Sequence, residues 1–191
     1  MSTFKKATRK GSFARIALIG PSGSGKSYTG LVLASTLAAG SKVAAIDTER
    51  GSLSKYADEF DFDKIEPETF NPAEYTDLIH AAAREGYNAL LIDSLTHAWA
   101  GAGGALEMVD KAAKRSQSNN TYVAWRDVTP LHNQLVDAMI SFPGHLVVTL
   151  RAKTEYIVEK DEKGRSYPRK VGLAPIPVSY THLTLPTIYS V

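Results

Sequence analysis

Lys26 and Ser27 close the octapeptide GPSGSGKS at residues 20 to 27, and two acids stand further along the chain: Glu49 in VAAIDTERGS and Asp93 in LLIDS. These residue types suit the binding and cleavage of a phosphoanhydride. The octapeptide has the form G-x-x-x-x-G-K-[ST]. Its glycines let the backbone curl and aim N–H groups at phosphate oxygens, and the helix that follows adds its positive end. Lys26 can reach the β- and γ-phosphates, and Ser27 can coordinate Mg²⁺. The expected nucleotide-binding set is Gly20, Pro21, Ser22, Gly23, Ser24, Gly25, Lys26 and Ser27, with Tyr28 directly after it. The motif says that a nucleoside triphosphate binds and little about what it is spent on.

The acids narrow the class. LLIDS ends an apolar run in Asp93, the form of a strand that offers a carboxylate to Mg²⁺ through water, opposite Ser27. A helix-capping aspartate after a core strand is the plainer alternative. Hydrolysis also needs an acceptor to orient the attacking water. Many ATPases place a glutamate directly after the strand aspartate, but here that position is Ser94. Glu49, at the end of a neighbouring strand, is the first choice for the acid, and Asp47 or Asp93 the second. Asp47 with Thr48 can instead cap a turn.

Such residues need a scaffold that brings strand ends together. FARIALIG (13 to 20) reads as a buried strand, and the segment from Ser27 to Gly40 as a helix with Gly40 as its C-cap. KVAAIDTE (42 to 49) is a second strand, and residues 50 to 71 read as loop. Residues 72 to 86 have Pro first, Gly last and helical spacing between. NALLIDS (88 to 94) is a third strand. LEMVDKAAKRSQSNN reads as a helix running into a polar loop. DVTPLHNQLVDAMISF is a further helix, with Pro130 in its first turn. HLVVTLRA (145 to 152) is a fourth strand, and residues 154 to 173 form a hairpin around Asp161 to Gly164. Strands alternating with helices predict an α/β fold with a mainly parallel sheet flanked by helices, and ligands at the carboxyl ends of the strands. Gly20, Glu49, Asp93 and Arg151 all end or follow a strand.

Composition bounds the answer. The chain has 191 residues, 43% of them apolar, which suits one α/β domain. No apolar run approaches the roughly 18 residues of a membrane span. The basic N-terminus MSTFKKATRKGS lacks the apolar core of a secretory signal. Cysteine is absent, which excludes a disulfide framework and fits a reducing cytoplasm. Net charge is only +2, but it is uneven: residues 1 to 15 hold Lys5, Lys6, Arg9, Lys10 and Arg15 and no acid. Local positive charge can attract a polyanion, or simply solvate a surface.

Strand, phosphate loop and helix, then IDTE, then LLIDS, resemble the RecA-like recombinase ATPases. The segments GPSGSGKS, IDTERGS, LLIDSLTHAW, HLVVTLRAKTEYIVE and PRKVGLAPIP resemble a phage-type subgroup of small nucleotide-binding proteins linked to single-strand annealing. The resemblance spans residues 13 to 177. It implies a RecA-like P-loop fold, ATP and Mg²⁺ as cofactors, Lys26 and Ser27 on phosphate and metal, Asp93 supporting the metal, and Glu49 as the catalytic acid. It also implies nucleotide sites between subunits, hence a homo-oligomer. Recombinases usually carry an amide where this strand ends Thr149-Leu150-Arg151, so Arg151 or Lys153 is expected to act as a cation on phosphate.

The hairpin sets Tyr156 and Tyr167 among basic residues: Lys153, Tyr156, Lys163, Arg165, Arg169 and Lys170 form a candidate surface for single-stranded DNA. The predicted loop 114 to 126, with Lys114, Arg115, Tyr122, Trp125 and Arg126, is a similar candidate. Each can equally be an exposed loop or a lid. His80, His97, His132 and His145 show no metal-ligand spacing, and Trp99 reads as core. The last residues, VSYTHLTLPTIYSV, resemble a translated frame of sequencing adapter. Residues 178 to 191 are therefore expected to be non-native, after a basic tail (1 to 12) and the ATPase domain (13 to 177). The leading reading is a Mg²⁺-dependent cytoplasmic ATPase acting on single-stranded DNA in recombination or annealing, with no membrane partner. A P-loop small-molecule kinase and a non-hydrolysing nucleotide switch are the alternatives. No guanine-binding NKxD motif occurs, which favours ATP.

Overall fold

The computed structural model describes residues 12–115, 120–160 and 166–175. Five segments, all but the third of them apolar where they pair, become the parallel strands β1 (Arg15–Gly20), β2 (Val43–Asp47), β3 (Asp63–Ile65), β4 (Ala89–Asp93) and β5 (His145–Lys160), in the order β1-β5-β4-β2-β3. The later part of β5 leaves the parallel sheet and pairs antiparallel with β6 (Ser166–Pro175). This is the expected mainly parallel sheet with a hairpin, and the described residues include the α-helices α1 (Lys26–Ala38), α2 (Pro72–Arg84), α3 (Thr96–Ala100), α4 (Ala105–Arg115) and α5 (Thr121–Ser141), with α1 on one face of the sheet and α2 and α5 on the other.

Alternation along each central strand sorts its side chains between two apolar layers. Leu90, Ile92, Leu146 and Val148 pack with Tyr75 and Ile79 of α2 and with Leu135 and Met139 of α5. Ala89, Leu91 and Val147 face the other way, onto Leu31, Ala34 and Ala38 of α1. Burying each leucine or isoleucine contributes about 1.5–3 kcal/mol relative to leaving it exposed. Being covered on both faces explains why these strands read as unbroken apolar runs.

Arg15 fastens the start of β1 to the end of α5. Its guanidinium donates to the carbonyls of Gly144 (2.6 Å), Ile140 (2.9 Å), Phe142 (2.5 Å) and Ala14 (3.1 Å). These include carbonyls that the helix end leaves without partners. The sequence grouped Arg15 with a polyanion-attracting tail, but its charge is used inside the fold.

Four expectations need correction. The segment 50 to 71 is not all loop: it holds a 3₁₀ turn, Ser52–Tyr56, and the edge strand β3. All three β3 residues are exposed, so no apolar run announced it. The segment 114 to 126 is not a continuous loop, because α5 begins at Thr121 with Asn120 as its N-cap, its side chain accepting from the Tyr122 N–H (2.9 Å). Pro130 therefore lies inside the helix, not in its first turn. The apolar spacing of Ala124, Val128, Leu135, Val136 and Met139 runs across the proline, and buried packing on both sides holds the helix together. The C-cap of α1, expected at Gly40, is instead Ala39 (φ 51), the chain turning left-handed one residue earlier, with Gly40 also left-handed (φ 84) after it. Pro72 opens α2, as read, and the Asn71 side chain caps it.

No helix among the described residues is long and apolar enough to cross a membrane. Residues 1 to 11 and 176 to 191, including most of the basic tail and the adapter-like end, lie outside the described residues.

Candidate nucleotide site at the carboxyl edge of the sheet

Residues 21 to 25 form an exposed turn between β1 and α1. Gly23 and Gly25 sit at φ 78 and φ 80, backbone that side-chain-bearing residues rarely adopt, and Gly25 is the N-cap of α1. The Ser24 hydroxyl donates to the Pro21 carbonyl (2.9 Å) and so tightens the curl. Lys26 Nζ folds back to the same carbonyl (2.7 Å). A neutral carbonyl is a weaker partner for an ammonium than a phosphate oxygen, so a triphosphate would draw the lysine off it. Burial lowers the Lys26 pKa, while the negative charges of Asp93 and Glu49 act the other way. These charges therefore gather round one ammonium, at the carboxyl end of the sheet.

Asp93 ends β4 and stands in register with Asp47 at the end of β2. The Thr149 hydroxyl, from β5, donates to Asp93 Oδ1. Asp93 Oδ2 is buried and has no hydrogen-bond partner. A buried carboxylate oxygen left unpaired is costly, and a metal-bound water would satisfy it. Ser27, half-buried at the start of α1, is the hydroxyl on the phosphate side. Among the described residues no group of three or more His, Cys, Asp or Glu could hold a metal alone. That donor set fits Mg²⁺, which typically takes one or two protein oxygens, substrate phosphates and waters.

Asp47, weighed above as a second-choice base, is engaged otherwise. Its Oδ1 accepts from the Glu49 N–H (2.9 Å) and its Oδ2 from the Leu53 N–H (3.0 Å). It thus folds the loop that carries Glu49. Burial pushes its carboxyl above the usual range, against those two bonds.

Glu49 itself is held by Arg151 through both oxygens, with Nε 2.9 Å from Oε1 and Nη2 on Oε2. Arg151 stands in register with Gly20, the first residue of the phosphate loop. β5 thus lies between the loop strand and the acid strand, and its arginine links the two. The backbone N–H of Arg151 is fixed by the Thr96 hydroxyl (2.8 Å).

Sequence reading missed several neighbours. Thr48 follows β2, Thr96 and His97 lie on α3 and Thr149 on β5, so no single periodic spacing joins them. Tyr56 and Phe60 lie in the segment read as loop, yet both pack edge-on against Tyr28, at 5.7 and 5.4 Å between ring centroids. The 3₁₀ turn that positions Tyr56 carries no helix-period signal.

The candidate nucleic-acid surfaces fare differently. Trp125 stacks on the buried Trp99 (5.3 Å, 26°), so it supports the α4–α5 packing, and Trp99 is core as read. Tyr122 is 86% exposed at the start of α5. On the hairpin, Tyr156 stands opposite Lys170, Ile157 opposite Arg169 and Lys153 opposite Ala174. Lys163 and Arg165 lie outside the described residues.

A family model described as an AAA domain matches residues 12–176. No curated protein matches the chain.

Proposed function

The chain belongs to the AAA domain family of P-loop nucleotide-binding ATPases, and on that premise we propose that it is a Mg²⁺-dependent, RecA-like ATPase acting on single-stranded DNA in recombination or annealing. The observation that carries the hydrolytic part is the Arg151–Glu49 pair beside the phosphate loop. On this reading the pair supplies a water-orienting carboxylate and a cation on the γ-phosphate side.

ATP is the substrate. Loop N–H groups and Lys26 bind its phosphates, while Ser27 and, through water, Asp93 hold the metal. Mg²⁺, when bound, offsets the charge that builds on the phosphate oxygens. Water attacks the γ-phosphorus as the bond to the β-phosphate bridging oxygen breaks, that oxygen leaving with the electron pair on ADP. Glu49 orients the water and accepts its proton. Arg151 holds Glu49 before reaction and stabilises equatorial charge during it.

For DNA, support comes from the β5–β6 hairpin, which carries Lys153 and Tyr156 on the extension of β5 and Arg169 and Lys170 on β6. Basic and aromatic residues together suit stacking and phosphate neutralisation. The resemblance of IDTERGS and VTLRAKTEY to recombination ATPases points the same way, and it brings assembly of several copies with it. A second reading is a nucleotide switch without turnover. The engagement of both Glu49 oxygens by Arg151 favours it, since the carboxylate is then turned to the arginine rather than to a water.

Phosphate release from ATP with Mg²⁺, measured with and without single-stranded DNA, decides between them. DNA-stimulated turnover supports the ATPase reading. ATP binding without turnover supports the switch.

A further inference from the structure

We infer that His97 is a positioning residue for hydrolysis, acting through Thr48 to hold Glu49 against Arg151. This rests on the reading that Glu49 orients the attacking water.

Thr48 is the residue between Asp47 and Glu49, and its side chain is buried. Its hydroxyl oxygen accepts from the Ser94 N–H (2.7 Å), directly after Asp93, and lies 3.0 Å from the Ser94 carbonyl. It also meets His97 Nδ1 at 2.7 Å. The Thr48 N–H donates to the Asp93 carbonyl (2.7 Å). One threonine therefore ties the ends of β2 and β4 together, and one histidine completes its bonding.

His97 is itself clamped. Its ring stacks on Phe70, 4.8 Å between centroids and 24° from parallel. Phe70 precedes Asn71, the N-cap of α2, and also lies tight against Gly101 at the end of α3, where a Cβ would come 2.5 Å from the Phe70 ring. His97 also follows Thr96, whose hydroxyl fixes the Arg151 backbone. Adjacent residues on α3 thus grip both halves of one ion pair: Thr96 the arginine's strand, and His97, through Thr48, the glutamate's loop. Glu49 is the next residue after Thr48, so a shift of the threonine moves the carboxylate.

A misplacement of about 1 Å in such a group can cost roughly 100-fold in rate. The test uses the full chain with the variants His97→Ala, Thr48→Val, Thr48→Ser and the double change His97→Ala with Thr48→Val. The expected result is kcat down roughly 10- to 100-fold in His97→Ala and Thr48→Val, with KM for ATP within about 2-fold, since neither side chain reaches the phosphate loop. Thr48→Ser keeps the hydroxyl and restores most of the rate. The double variant falls no further than the worse single one, because the two act as a unit. An unchanged kcat in His97→Ala overturns the inference. So does a loss of kcat and ATP binding together with thermal stability that Thr48→Ser shares, which would mean packing alone. The wild-type rate separates the two levels: absent turnover in the wild type removes the hydrolytic reading and this inference with it, whereas normal turnover in both wild type and His97→Ala removes only the inference.

Discussion

Arg151 and Glu49, 102 residues apart in sequence, form a two-point ion pair at the carboxyl edge of the sheet, and Arg151 stands beside Gly20 in register. The pairing is chemically specific. A guanidinium presents a planar fork that matches both carboxylate oxygens, which a lysine ammonium does not. The half-buried glutamate is thereby fixed relative to the phosphate loop, one strand at a time: loop to β1, β1 to β5, β5 to Glu49.

Replacing Arg151 separates its two tasks. Arg151→Ala loses both the grip on Glu49 and the cation, so kcat is expected to fall roughly 100-fold or more. Arg151→Lys keeps charge without the fork and is expected to fall between. Steady-state phosphate release measures both. A faster Arg151→Ala enzyme would mean that the pair acts as a brake.

Among the described residues the Lys26 ammonium hydrogen-bonds only within its own loop, to the Pro21 carbonyl and the Ser24 hydroxyl. Lys26→Ala is therefore expected to leave the melting temperature within about 2 °C of the wild type while weakening ATP binding. A lost charge-assisted contact is worth about 1.5–3 kcal/mol, or roughly 10- to 150-fold in Kd. Calorimetric titration with Mg-ATP gives the number.

Acidification has a predictable sign at His97. Burial holds its imidazole below the ordinary value. In the unfolded chain the ring takes up a proton near pH 6.5, and in the folded chain only at lower pH. The unfolded state thus binds more protons in that window, and stability falls as pH drops from about 6.5 through the folded value. Asp47 acts oppositely at more acid pH: its raised carboxyl favours the folded state below the ordinary aspartate value, and that contribution is lost as pH rises through the raised one. Thermal melts between pH 7.5 and pH 5.5 are expected to show a downward slope that is reduced in His97→Asn.

Arg15 carries a stability prediction separate from the site. Arg15→Ala abandons the carbonyls of Ile140, Phe142 and Gly144 at the end of α5. The expected cost is about 2 kcal/mol, a drop in melting temperature of roughly 4–8 °C for a domain of this size. Because Arg15 lies at the opposite end of β1 from the phosphate loop, Kd for ATP should not change.

Legibility in the sequence followed contiguity. The phosphate loop could be read because all its parts lie within eight residues, and the central strands because both their faces are buried. Strand β3 could not, since its three residues are exposed at the sheet edge. The start of α5 was misplaced because Pro130 imitates a first-turn proline and the preceding residues are polar. Glu49 and Arg151 were both visible as candidates, but nothing in one dimension pairs them. Thr48 and His97 carried no pattern at all: their contact exists only once β2, β4 and α3 are packed.

The most direct test of the central claim is phosphate release by the wild type and Glu49→Gln, side by side, with Mg²⁺ and with or without single-stranded DNA, alongside ATP binding by both. The prediction is turnover in the wild type that rises with DNA, and loss of roughly 100-fold or more in Glu49→Gln with ATP binding retained. Equal turnover in the two proteins would contradict the assignment of Glu49 as the acid that orients the attacking water.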